Sequence, residues 1–107
     1  MYTLVLVGEL DGSSTSTLEG AIEALCELGV AGITLDLSKL TRIDDTGVAV
    51  IVFRCGWCQR HGHEFAIVPG SKSIQMAFKQ ADTLRRLPFV EQAPPSEEGS
   101  RVLVAHA

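Results

Sequence analysis

Three short apolar runs, residues 3–7, 33–37 and 64–68, alternate along this chain with longer segments whose apolar residues recur at helical spacing. That alternation is the strongest constraint on the fold. A strand followed by a helix and then another strand returns through a right-handed crossover and leaves the two strands parallel. The expected class is therefore α/β, with a mostly parallel sheet of four to five strands and helices packed against it. The first run stops at Gly8 and reads as a strand buried on both faces.

Between the runs, the signals of helix starts and stops can be read directly. Asp11, Gly12, Ser13 and Ser14 are turn residues. Ser16 with Glu19 has the form of a capping box, and Leu18, Ile22, Leu25 and Leu28 behind it predict one buried helix face. Glu19, Glu23 and Glu27 form an acidic stripe on the other side, and Gly29 ends the helix. Residues 38–45 read as a polar loop. The apolar stretch that follows, ending near Gly62, is too long for the usual strand, so it is expected to be a helix capped by Asp44 or Asp45. Ser71 is placed as the cap of a third helix, with Ile74, Ala77, Phe78 and Ala81 facing inward. Leu84, Leu87 and Phe89 are expected to return to the core, residues 91–100 to form a loop, and residues 101–105 a last strand.

A chain of 107 residues is one domain, taken here as 1–107. Thirteen acidic residues against nine basic ones give a net charge of −4, a sign that repels phosphate backbones and argues against nucleic-acid binding. Three cysteines do not make a disulfide framework, so a reducing, cytoplasmic setting is expected. No apolar run approaches the ~20 residues of a membrane span. The first ten residues lack the basic start and small-residue cleavage site of a secretory leader.

The middle helix carries the most information. Stepping about 100° per residue from Thr46 places Val48, Ile51, Val52 and Cys55 on the far, core-facing side. Val50, Phe53 and Trp57 return to within about 40° of Thr46. A second apolar stripe of this kind is either buried, with Phe89, Val90 and Val102 as covers, or it binds a partner protein with Phe53 and Trp57 as anchors. Cys55 and Cys58 have the spacing of a redox motif, and His61 and His63 follow them. Yet Cys55 lies deep inside the helix, where the dipole no longer lowers a thiol's pKa. Both cysteines are expected to be reduced and metal-free. No nucleophile, base and orienting group assemble from the sequence, so neither an enzyme nor a cofactor is expected.

Three segments carry a family resemblance: Gly8-Glu9-Leu10-Asp11 after the first strand, Leu35-Asp36-Leu37-Ser38 ending the second, and Ile43-Asp44-Asp45-Thr46-Gly47 opening the middle helix. In order and spacing, from about residue 3 to residue 90, the chain resembles the STAS domain of bacterial anti-sigma factor antagonists. The resemblance implies binding to an anti-sigma factor that is a serine/threonine protein kinase of the histidine-kinase-like ATPase type. It implies release when a hydroxyl at the helix start is phosphorylated. Thr46 matches that acceptor, Asp44 and Gly47 match the flanking Asp and Gly, and Asp45 stands where the family has a first hydroxyl. The partner surface is then expected to include Asp11, Asp44, Asp45, Gly47, Val50, Phe53 and Trp57, with a weak homodimer besides. The alternative is a STAS interaction module without a switch, a scaffold or an accessory subunit of a transport system. STAS domains usually have one more strand ahead of the Gly8 segment. Here residues 101–105 are expected to take that edge of the sheet.

Overall fold

The computed structural model describes residues 2–81, 87–90 and 101–107. Five strands and three helices follow in the order β1 (Tyr2–Leu10), α1 (Thr15–Glu27), β2 (Gly32–Asp36), β3 (Leu40–Ile43), α2 (Asp45–Arg60), β4 (Glu64–Val68), α3 (Lys72–Gln80) and β5 (Arg101–His106). All the strand pairings are parallel, as the alternation of short runs and helices predicts. The order β3-β1-β2-β4 places β1 and β2 inside the sheet.

β1 is long enough to have two neighbours on one side. Its first part, Tyr2 to Val7, pairs with Arg101 to His106 of β5, and its last part, Gly8 to Leu10, pairs with β3. The register shifts between Gly8 and Glu9. Gly8 has φ +103°, a conformation that glycine adopts freely, and a Cβ there would meet the carbonyl oxygen of Ala107 at 3.0 Å. The last strand thus takes the edge expected for it.

Side chains alternate along β1: Leu4 and Leu6 are fully buried, whereas Thr3, Val5 and Val7 are half-buried. The expectation of burial on both faces is corrected for this strand. Thr3 lies level with Val102, and Val5 with Val104, and both of these valines are exposed. β2 does read as buried on both faces, through Ile33, Thr34 and Leu35. β3 arises inside the segment expected to be a loop. Its Thr41 and Arg42 are exposed, and the Thr41 hydroxyl donates to the Gly8 carbonyl at 2.9 Å.

Leu18, Ile22 and Leu25 of α1, Val48, Ile51, Cys55 and Cys58 of α2, and Ile74 and Phe78 of α3 join the strand residues in one core. Leu28 falls beyond α1 and is 71% exposed, and Ala81 is exposed beyond α3. The capping box does not form. The helix starts two residues earlier, after Ser14, whose hydroxyl donates to the Glu9 carbonyl at 2.9 Å, and Glu19 is engaged by Arg54 of α2. Leu87 is buried and Phe89 bridges to Ile67, so the return to the core is observed there. Leu84 and the 91–100 loop lie outside the described residues.

Candidate functional site

The β1–α1 and β3–α2 connections meet where β1 ends. At that point Asp44 ties three pieces of chain together. Its backbone N–H donates to the Leu10 carbonyl at 3.1 Å, and its carboxylate accepts the Gly47 N–H at 2.8 Å as the helix N-cap. The same carboxylate is 3.4 Å from the Gly12 amide. A capping carboxylate also complements the positive end of the helix dipole, and Asp45 adds a second negative charge in the first turn.

Gly47 is buried against the end of β1. A Cβ there would come within 2.8 Å of both the Leu10 carbonyl oxygen and Ile43 Cγ1. Since one of those atoms is backbone, only glycine lets α2 start this close to the strand. Asp45 and Thr46 project outward and are exposed, and among the described residues the Thr46 hydroxyl has no hydrogen-bond partner.

Asp11 organises the facing loop. The backbone N–H and the hydroxyl of Ser13 donate to its Oδ1 at 2.9 and 2.6 Å. These donors, the Ser13 hydroxyl foremost, hold the Asp11 carboxyl below the usual carboxylate range. Asp11 and Asp44 line a recess of about 230 Å³ with Glu9, Leu10 and Arg42. Glu9 and Arg42 were not singled out from the sequence. They meet because β1 and β3 pair them.

From Thr46 the apolar stripe runs down α2. Val50 is half-buried, and Phe53 is 58% exposed, with the Arg54 guanidinium 5.6 Å from its ring centroid. The covers considered for this stripe lie elsewhere: Phe89 packs edge-on against Phe78, and Val102 sits on the strand beyond β1. Trp57 is half-buried and about 16 Å along the helix from Thr46. It lines a groove of about 510 Å³ between α1 and α2 with Glu23, Cys26, Glu27, Arg54, His61 and His63. The His61 ring stacks on the indole at 3.9 Å between centroids. Its Nδ1 lies 2.8 Å from the Trp57 carbonyl, which only accepts, so that nitrogen carries the proton. The structure therefore groups Asp11, Asp44, Asp45, Thr46 and Gly47 at one end of α2, Val50 and Phe53 along its flank, and Trp57 at the far end.

Sequence reasoning missed Arg54, which is 7% exposed. One nitrogen, Nη2, donates to Glu19 at 2.7 Å and to Glu23 at 2.8 Å across the helix seam. Those carboxylates, Glu19 first, raise the guanidinium's pKa further, so it stays charged despite its burial. The available signal is an arginine in the middle of an apolar helix, with the Glu19–Glu23 spacing on α1. Val52, expected in the core, is only half-buried, and Cys58 takes the core position one turn on from Arg54. Among the described residues, no three His, Cys, Asp or Glu side chains are arranged to hold a metal ion, and no helix is long and apolar enough to cross a membrane.

Residues 1–93 match the profile of the STAS domain. Among solved structures, the anti-sigma factor antagonist SpoIIAA in its unphosphorylated form has a similar fold. Its TM-score is 0.63 at 19% sequence identity, and the match covers 86% of this chain and 81% of that one. A profile that spans so much of the sequence, on a backbone that superposes on the same fold, places this chain in the STAS domain family.

Proposed function

We propose that this chain is an anti-sigma factor antagonist that acts by binding rather than by catalysis. Its partner is an anti-sigma factor that is also a serine/threonine kinase of the histidine-kinase-like ATPase type, in a bacterial cytoplasm. Thr46 is the phosphorylated residue, and the partner surface comprises Asp11, Asp44, Asp45, Gly47, Val50, Phe53 and Trp57. The observation that carries this reading is the exposed Thr46 hydroxyl on the first turn of α2, without a hydrogen-bond partner among the described residues, with the exposed Phe53 below it.

The physics of the switch follows from that position. A phosphate at a helix N-terminus meets free N–H groups and the positive end of the dipole, so α2 persists. The change is one of surface. A charge of about −1.5 to −2 appears at the head of an apolar stripe, beside the carboxylates of Asp44 and Asp45. Burying that charge in an apolar interface costs several kcal/mol, which lowers affinity by orders of magnitude. Dephosphorylation restores the binding face, and the cycle controls how much sigma factor is free.

One observation favours a second reading. Asp45 already places a fixed charge where the family has a hydroxyl, which suits a STAS interaction module that does not switch. Incubation with the cognate kinase and ATP, followed by phosphosite mapping, separates the two. Phosphate on Thr46, with loss of kinase binding, is the expected result. Phosphate elsewhere or nowhere sinks the switch and leaves the non-switching module.

A further inference from the structure

We propose that Cys26 and Cys58 are the two halves of a reversible disulfide that clamps α1 to α2. The Sγ atoms face each other across the seam at 3.9 Å, joining residues 32 apart on different helices. The contact is the next rung of a ladder that already exists. Arg54 holds Glu23 one turn earlier: Cys26 lies three residues after Glu23 on α1 and Cys58 four after Arg54 on α2, each about one helical turn. The spacing of the helices is therefore set by an ion pair beside the thiols. On the α1 side the thiol sits in the last turn, just before Gly29 with its φ of +76°, where a small approach disturbs little.

Exposure fixes the order of events. Cys26 is half-buried and opens into the groove lined by Trp57, His61 and His63, so a dissolved disulfide reaches its sulfur. Cys58 is fully buried, with the Cys26 sulfur 3.9 Å from its own. The Cys26 thiolate attacks one sulfur of a low-molecular-weight disulfide and expels the first small thiolate, which leaves a mixed disulfide. The Cys58 thiolate then attacks the Cys26 sulfur and expels the second. The two protons lost by the cysteines end on the two small thiols, the protein loses two electrons, and the reagent gains them. Burial first, and then the neighbouring Cys26, push the Cys58 thiol up to about 12. The second of these causes disappears once Cys26 is in the mixed disulfide. Cys55 is a poor rival, because a bond from Cys55 to Cys58 would join two positions of one helix and hold nothing across the seam. Disulfides of cytoplasmic proteins are mostly transient and redox-sensing, and this pair suits that use.

The test treats the full chain with excess oxidised glutathione and maps its peptides without reduction. The expected product is a Cys26–Cys58 cross-linked pair, two hydrogens lighter than the reduced protein, with a change in the fluorescence of Trp57 that dithiothreitol reverses. Trp57 is the only tryptophan, so the signal reports this groove alone. Cys58→Ser should stop at glutathione on Cys26, with at least tenfold more mixed disulfide than wild type. Cys26→Ser should leave Cys58 as a thiol, and Cys55→Ser should oxidise as wild type does. A wild-type protein that stops at the mixed disulfide overturns the proposal, as does a Cys55–Cys58 bond or oxidation only between two molecules.

Discussion

The first turn of α2 and its seam with α1 belong to one helix, yet they are held in opposite ways. The turn is fixed at the backbone amides: the Asp44 carboxylate on the Gly47 amide, a carbonyl of β1 on the Asp44 amide, and a glycine that lets strand and helix touch. Its remaining side chains, Asp45 and Thr46, are free of that work and face outward. At the seam the side chains themselves are the fastening. Arg54 gives up nearly all its solvent contact to reach two glutamates, and its Nε is buried with no partner among the described residues. A chemical change at Asp45 or Thr46 therefore alters a surface and spares the fold, whereas one at the seam alters the fold directly.

The contrast is broken most severely at the seam. Glu19→Gln combined with Glu23→Gln should cost about 3 kcal/mol in urea unfolding, because a buried guanidinium loses both its anionic partners. Each single change should cost much less, since the other carboxylate remains. If the double variant is as stable as wild type, the seam is not held as described. At the turn, Gly47→Ala should cost about 2 kcal/mol by the same measurement, because the new methyl would press on the Leu10 carbonyl. Asp44→Ala should cost about 1 kcal/mol, the usual loss for an N-cap. Thr46→Glu should shift stability by less than about 0.5 kcal/mol while weakening kinase binding, and a large loss of stability would show that Thr46 is not free. The smallest effect concerns Asp11. Its folded pKa lies below the usual carboxylate range, so its contribution is complete above that range and is lost as pH falls through the lowered value. An NMR titration should show that midpoint moving up in Ser13→Ala, since the Ser13 hydroxyl is the main cause of the depression.

The same division explains what could be read from the residues alone. β2, β4 and the helices follow from period and punctuation, which are local, and Asp44 and Gly47 announce themselves at a helix start. β3 does not, because two of its four residues are exposed and polar, and its pairing with β1 is made across space. The false capping box has a related cause. Ser16 and Glu19 have the right spacing, but Ser14 and Glu19 find better partners in Glu9 and Arg54. Arg54 and Cys26 resist a linear reading most of all, since their partners lie more than 30 residues away in sequence. The edge role of β5 follows from the extra strand that the family resemblance calls for rather than from any pattern within it.

That strand carries a consequence for how the molecule comes into being. β1 leaves the ribosome well before β5, so the edge from Tyr2 to Val7 that β5 will cover waits for Arg101 to His106. At about 5–20 residues per second of synthesis, that wait lasts on the order of 5–20 s. Throughout it a valine- and leucine-rich strand offers open hydrogen-bonding groups to any passing chain. The closing pair also has one of the longest sequence separations in the sheet, which makes it a late and slow step of folding. During synthesis the hazard lies in β1 and the remedy in β5, many residues later.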